Sequence, residues 1–104
     1  MAKYVLAYRG GGMPETEAEQ QAEMARWGEW YGALGAAVVD GGNPFAASAT
    51  VAADGTSSQP GSAGLTGYTI VTADSLAGAT EHAKGCPILR SGGSVDVYEA
   101  IEMG

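Results

Sequence analysis

Hydrophobic residues recur along the chain with two periods, one typical of β-strands and one typical of a helix. A β-rich run over residues 3–8 ends at Arg9-Gly-Gly-Gly-Met-Pro14, which predicts a strand followed by a break. Thr16 and Glu19 then have the spacing of a capping box, and Gly35 can end the helix that follows. The predicted apolar stripe of this helix comprises Met24, Trp27, Trp30, Tyr31 and Leu34.

Further strands are predicted in the rest of the chain. They are expected over 36–40, 65–72 and 94–103, and the last of these alternates apolar and polar residues. Residues 48–53 are a further extended candidate, and the polar segment 56–64 is predicted to be a mobile loop.

A second helix is predicted between the strands over 65–72 and 94–103. Asp74 or Ser75 can cap it, and Gly85, followed by Pro87, can end it. Its predicted apolar face comprises Leu76, Ala79, Thr80 and Ala83.

The element order β-α-β(β)-β-α-β predicts a single α+β domain over residues 1–104. The expected fold is the ferredoxin-like split βαβ with an antiparallel sheet. Two helices cover only one face of such a sheet, yet apolar side chains occupy both parities of its strands. We therefore expect the second face to pack against another copy, giving a homodimer.

Composition narrows the function classes. The net charge of −7 and the five scattered basic residues argue against nucleic acid and anionic membrane as partners. The single cysteine, Cys86, excludes an intrachain disulfide and favours a reducing compartment. No apolar run reaches the length of a membrane span, so a cytoplasmic location is expected.

Several stretches together resemble the YCII-related family, and within it the DGPF-domain proteins. The resemblance covers most of the chain, and its most specific parts are the Gly-Tyr strand joined to Ala-Asp-Ser-Leu and the closing Gly-Gly-Ser-Val-Asp-Val. It rests on Lys-Tyr-Val-Leu-Ala-Tyr-Arg (3–9), Trp-Gly-Glu-Trp-Tyr-Gly-Ala-Leu-Gly (27–35), Val-Val-Asp-Gly-Gly-Asn-Pro (38–44), Leu-Thr-Gly-Tyr-Thr-Ile-Val-Thr-Ala-Asp-Ser-Leu-Ala-Gly-Ala (65–79), Gly-Cys-Pro-Ile-Leu (85–89) and Gly-Gly-Ser-Val-Asp-Val-Tyr-Glu (92–99).

The resemblance implies a subunit that dimerises through its sheet into an α/β-barrel. Some family members carry a His–Asp pair that is proposed as an active site, but this chain departs from that pattern. Trp27 stands near the expected histidine, and Cys86-Pro87 stands where Asp-Pro is expected. The Asp-Gly-Pro-Phe string is absent too, and residues 57–61 read Ser-Ser-Gln-Pro-Gly. A His–Asp enzyme is therefore not predicted.

The best site hypothesis from the sequence is an aromatic cleft on the sheet. Tyr4, Leu6 and Tyr8 are expected to share a face with Tyr68, Asp96 and Tyr98, and two stacked faces would enclose a small organic ligand. A buried Asp96 could then act as an acid or base. Rim candidates are Arg9 and Asp40, and Trp27 is a candidate for a pocket wall. The alternative is that the tyrosines form the dimer core and that Asp96 is solvated at an edge of the sheet.

Three other features are weaker indications of a functional site. The glycines at 10–12 lack the lysine and the spacing of a phosphate loop, so a connector is predicted. His82 has no second histidine at ligand spacing, so no metal and no cofactor are predicted. Cys86 follows a helix end, where the dipole disfavours a thiolate, and a buried thiol is expected.

Three functions remain open from the sequence. The first is a homodimeric protein of the YCII/DGPF type that binds a small metabolite. The second is a cofactor-independent enzyme, such as an isomerase, lyase or oxygenase, that uses Tyr and Asp in the dimer cleft. The third, which the DGPF resemblance implies, is a regulatory protein that binds a partner and is linked to a sigma factor.

Overall fold

The computed structural model describes residues 1–12 and 14–103; Met13, in the predicted break after the first strand, lies outside the described residues. The order of elements follows the sequence prediction closely. Short 3-10 turns occupy Gly35–Ala37 and Pro87–Ser91. The strands and helices are β1 (Ala2–Arg9), α1 (Glu17–Leu34), β2 (Val38–Asp40), β3 (Thr50–Val51), β4 (Ser57–Ser58), β5 (Leu65–Ala73), α2 (Leu76–Lys84) and β6 (Ser94–Ala100).

Four of the strands form one antiparallel sheet in the order β2-β5-β1-β6. Both long strands, β1 and β5, lie at the centre, and the two helices pack on one face. This arrangement confirms the α+β class and is compatible with the ferredoxin-like plan. In the part of the chain that is described, no helix is long and apolar enough to cross a bilayer.

Local signals determine where the helices begin and end. The Thr16 hydroxyl accepts a hydrogen bond from the Glu19 amide at 3.2 Å, which confirms the predicted N-cap of α1. Ser75 caps α2 in the same way by accepting from the Gly78 amide at 3.1 Å. Gly35 follows α1 with φ of 57°, a backbone conformation that favours glycine. These ends depend on residues close in sequence, which is why sequence reasoning found them.

The prediction of the apolar helix faces is wrong for two residues. Met24 is 74% exposed, because at this turn α1 borders an open cleft rather than the sheet. Leu76 lies in the first turn of α2 and is 53% exposed, while Ala79 and Ala83 of the same face are buried. Period alone cannot tell where a helix extends past the sheet that it covers.

The segment between β2 and β5 forms a small hairpin. Thr50 pairs with Ser58 and Val51 with Ser57, so part of the predicted polar loop is a strand. The Ser62 amide donates to the Thr50 hydroxyl at 2.7 Å, and the Gly61 amide donates to Ser48 at 2.9 Å. These bonds connect the loop to Thr50 in the first strand of the hairpin and to Ser48 just before it. The mobility of the loop stays a prediction.

The last strand is shorter than predicted. β6 ends at Ala100, and Ile101 and Met103 are exposed. Lys3, the second residue of β1, already pairs with Ala100, so β1 has almost no residues left to pair with the end of the chain. The predicted extension over 101–103 is therefore wrong.

Candidate functional site

The two sheet faces separate residues that the sequence analysis placed together. Residues paired in an antiparallel sheet point to the same face. Tyr68 and Asp96 both pair with Ala7, and Tyr98 pairs with Val5. Tyr4, Leu6 and Tyr8 have the other parity of β1 and point toward the helices. The predicted cleft that combines all six side chains on one face is therefore wrong.

The face away from the helices, called here the open face, carries four of the predicted site residues close to one another. The Arg9 Nε lies 2.8 Å from the Asp96 Oδ2, and the two side chains are 45% and 38% exposed. This hydrogen bond to Asp96 raises the pKa of Arg9. Tyr68 donates to the Asp40 carboxylate at 3.4 Å. Both acids have a partner on this face, and neither is buried as the acid–base hypothesis for Asp96 requires.

Tyr98, the fifth candidate of the open face, is 57% exposed on β6. It points away from the helices with Val5, Ala7 and Ile70. No helix of the described residues covers this face. It offers a broad surface more than a concave site.

A concave site lies on the opposite side of the sheet. A cleft of about 520 Å³ opens between residues 23–31 of α1, the glycine loop after β1 and the segment 41–44 after β2. Two predicted site residues, Tyr8 and Trp27, form part of its wall, and Tyr68 borders it. Its volume lies within the range of about 300–1,000 Å³ that is usual for small-molecule sites. We call it the aromatic cleft.

Three aromatic rings line the aromatic cleft and contact one another, Tyr8 and Trp27 edge-to-face and Trp27 and Tyr31 in a tilted arrangement. The Trp27 ring lies 5.4 Å from the Tyr8 ring at 77° and 5.9 Å from the Tyr31 ring at 41°. Behind them, the Trp27 ring lies 5.7 Å from Trp30, whose indole N–H donates to the His82 carbonyl at 2.9 Å. Edge-to-face pairs at these distances stabilise ring positions. The wall is therefore preorganised by the core.

A chain of hydrogen bonds runs along the floor of the aromatic cleft. Tyr8 donates to the Thr69 hydroxyl at 2.6 Å, and Thr69 donates to the Gly41 carbonyl at 3.0 Å. Tyr31 donates to the same carbonyl at 3.0 Å. Through these bonds β1, β5 and α1 all hold the segment that follows β2 at one point.

Burial keeps the reactive groups beside this chain of hydrogen bonds protonated. It raises the pKa of the Tyr8 phenol far above its ordinary value, and it raises the pKa of the Cys86 thiol to about 11. Cys86 is buried, as the sequence analysis expected, although desolvation is the main cause of its shift. Neither group supplies a base or a nucleophile near neutral pH.

One carboxylate borders the aromatic cleft. Glu23 Oε2 lies 2.9 Å from the Arg26 guanidinium, and Glu23 Oε1 accepts from the Trp27 indole N–H at 3.2 Å. The pair lies on one turn of α1, so the carboxylate also fixes the ring plane of Trp27. This orientation depends on residues three and four apart on a helix.

Two glycines allow the backbone to pass close to neighbouring groups at the aromatic cleft. Gly42 has φ of +76°, and a Cβ at this position would overlap the Tyr68 carbonyl. Gly11 has φ of +73°, and a Cβ there would come within 2.8 Å of the Ile88 side chain. Both positions need glycine for its conformation and for its missing side chain.

The sequence analysis missed several parts of the aromatic cleft. It treated the glycines at 10–12 as a connector, but they line the wall. It assigned Tyr31 to the core, and it gave no role in a site to Glu23 or to residues 41–44. The aromatic residues at 27, 30 and 31 were a usable signal, because two tryptophans exceed what one small helix–sheet contact needs.

Metal ligands do not gather in the described part of the chain. Residues 1–12 and 14–103 contain no group of three or more His, Cys, Asp or Glu side chains placed to hold an ion. His82 lies on α2 with its backbone carbonyl bonded to Trp30, and Cys86 lies under Tyr8.

Comparisons with known proteins were made for the whole chain. No family model matches it. No curated protein matches it, and no solved structure matches it. The resemblance to the YCII-related family therefore stays a prediction, and the site is interpreted from its own geometry.

Proposed function

We propose that this protein binds a small organic ligand in the aromatic cleft. The observation that carries the proposal is the convergence of Tyr8, Trp27 and Tyr31 on one concave, mostly apolar space of about 520 Å³. Sites for small molecules combine such walls with a few fixed polar groups. Here the polar groups are the hydroxyl of Tyr31 and the carboxylate of Glu23, both held by other bonds.

Binding fits this site better than catalysis by its own side chains. The buried Tyr8 phenol and Cys86 thiol keep their protons at neutral pH. Glu23 already interacts with Arg26 and Trp27. A general base works best with a pKa close to the working pH, and neither Tyr8 nor Cys86 meets that condition.

The test is a metabolite screen followed by two matched variants. A bound ligand should raise the melting temperature and change the fluorescence of Trp27. Trp27→Leu should abolish the response to each hit, and Tyr98→Leu, on the open face, should keep it. The opposite result would place the site on the open face and end the proposal for the aromatic cleft.

We also propose that two copies of the chain associate through their open faces, as the YCII resemblance implies. Val5, Ala7 and Ile70 form the apolar centre of this face, with Tyr98 beside them. A sheet face with this composition is a typical interface in small α+β proteins.

Sedimentation velocity tests the association. The wild-type protein should sediment with the mass of two chains. Ile70→Asp should sediment as one chain with an unchanged far-UV spectrum, because a charge cannot be desolvated in an apolar interface. Leu89→Asp, an equal change on the exposed part of the Pro87–Ser91 turn, should stay dimeric. A wild-type monomer at high concentration would exclude this interface.

A further inference from the structure

We propose that the aromatic cleft selects ligands whose polar end donates hydrogen bonds, as a hydroxyl or an amine does, and disfavours carboxylates and phosphates. This inference rests on the proposed binding function and names the class of ligand. The selectivity follows from the directions in which the hydroxyl protons of the cleft point.

The direction of the hydrogen bonds along the cleft floor is determined by chemistry. A carbonyl oxygen only accepts, so both Tyr31 and Thr69 must donate to Gly41. Thr69 then has no proton left, and Tyr8 must donate to it. The phenol oxygens of Tyr8 and Tyr31 therefore have only lone pairs left to offer. Tyr8 is buried and Tyr31 is half-buried, so Tyr31 is the accessible acceptor.

One more hydroxyl group at the aromatic cleft is oriented in the same way. Thr66 donates to the Gly10 carbonyl at 3.1 Å, which uses its only hydroxyl proton. Three lining residues, namely Tyr8, Tyr31 and Thr66, thus have their protons directed away from a ligand. The Tyr68 hydroxyl donates to Asp40 on the open face and takes no part in this selection.

Charge acts in the same direction. The Glu23 carboxylate lines the aromatic cleft, and its oxygens accept but do not donate. The whole chain carries a net charge of −7, which raises the local concentration of cations and lowers that of anions. The half-buried rings of Trp27 and Tyr31, which line the cleft, also favour a cationic amine over an anion.

Some groups of the aromatic cleft can act in either way. Asn43 and Ser91 line it and can both donate and accept, so they do not discriminate. The backbone amides of the glycines at 10–12 are the donors that could favour an anion. A series of probes with one apolar body and different polar ends measures which set of groups prevails.

The probes are 2-(1-naphthyl)ethanol, its methyl ether, 2-(1-naphthyl)ethylamine and the carboxylate of 1-naphthaleneacetic acid. Quenching of tryptophan fluorescence and calorimetry give their affinities for the full chain. The alcohol and the amine should bind about tenfold more tightly than the ether, which has the same body and no donor. The carboxylate should bind at least about tenfold more weakly than the alcohol.

Two Tyr→Phe variants locate the acceptor. Tyr31→Phe should reduce the alcohol-to-ether ratio to about one, with the affinity of the ether changed less than about twofold. Tyr4→Phe, at the other end of β1, should keep the wild-type ratio. The wild-type comparison of alcohol and ether decides the question even where a variant folds poorly.

The possible results separate this inference from the proposal on which it rests. Equal binding of the alcohol and the ether, or tighter binding of the carboxylate, would overturn the donor selectivity while the cleft remains a binding site. If none of the four probes binds, both the donor selectivity and the proposed binding function would be overturned. Binding of the alcohol and amine alone, lost in Trp27→Leu, would support both.

Discussion

The two faces of the sheet have similar strand residues and different structural roles. On the face toward the helices, Leu6 and Val71 are fully buried, and Tyr8 takes part in the floor of the aromatic cleft. On the open face, Arg9 and Asp96 form an ion pair that remains partly in water. Both parities of β1 carry apolar residues, so alternation alone does not say which face the helices cover. The register of the strand pairing therefore decides which side chains can form one site.

The largest effect on stability is expected for a core residue of β1, measured against its neighbour on the opposite face of the sheet. Leu6→Ala should lower the free energy of unfolding by about 3 kcal/mol, because it leaves a cavity in the core. Val5→Ala on the open face should cost about 1 kcal/mol, since its side chain is only half-buried. Urea unfolding at low protein concentration measures both. Equal losses would mean that the open face is covered as well.

The second prediction uses pH to test burial on the helix side. The folded state holds the Cys86 proton to a pKa of about 11, whereas an exposed thiol releases it near its ordinary value of 9.0. The stability that depends on the protonated Cys86 thiol is therefore fully present below about pH 9. It is lost as the pH rises through about 11, which lowers the free energy of unfolding by roughly 3 kcal/mol.

Unfolding by urea at intervals from pH 8 to 11 measures this loss. Cys86→Ala should show a smaller decline, and the remainder belongs to Tyr8, whose pKa burial also raises. A thiol reagent at pH 8 should label native protein slowly and unfolded protein fast. Fast labelling of the native state would contradict the burial of Cys86.

The third prediction concerns the support behind the aromatic cleft. Trp30→Phe removes the indole N–H that the His82 carbonyl accepts, and it should cost about 2 kcal/mol. Tyr98→Phe on the open face should cost less than about 0.5 kcal/mol, because its hydroxyl is in an exposed residue. Thermal unfolding followed by circular dichroism checks both. A neutral Trp30→Phe would show that the Trp30–His82 bond contributes nothing.

The smallest effect is expected for the ion pair of the open face. Arg9→Gln should lower stability only slightly, because both partners are more than a third exposed and water screens the pair. The loss should shrink further at high salt. Should the loss grow with protein concentration, a second copy must cover the pair, which links this measurement to the proposed dimer.

Much of the fold could be predicted from the sequence. The strands β1 and β5 and both helices were found, since their signals are local: β-rich runs, the caps Thr16 and Ser75, and glycines after the helices. Errors fell at element ends, where the partner matters. β6 ends early because β1 has no more residues to pair with it, and Met24 is exposed because α1 borders the aromatic cleft there.

The candidate site was predicted only in part. Tyr8 and Trp27 line the aromatic cleft, and Tyr68 borders it, but Arg9, Asp96 and Tyr98 lie on the open face. The glycines at 10–12 gave no chemical signal of their own. They line the wall because the fold brings this loop beside Ile88, a residue far along the chain, so closely that a Cβ at Gly11 would come within 2.8 Å of it.

The sequence by itself determined the α+β class, the acidic charge and the positions where helices begin and end, because these depend on residues within a few positions of one another. The tertiary structure alone decided which parity of β1 meets the helices, which two hydroxyls donate to Gly41, and which residues enclose the aromatic cleft. Those features depend on pairing between β1, β5 and β6 and on packing of α1, and such long-range contacts leave no local pattern in the sequence.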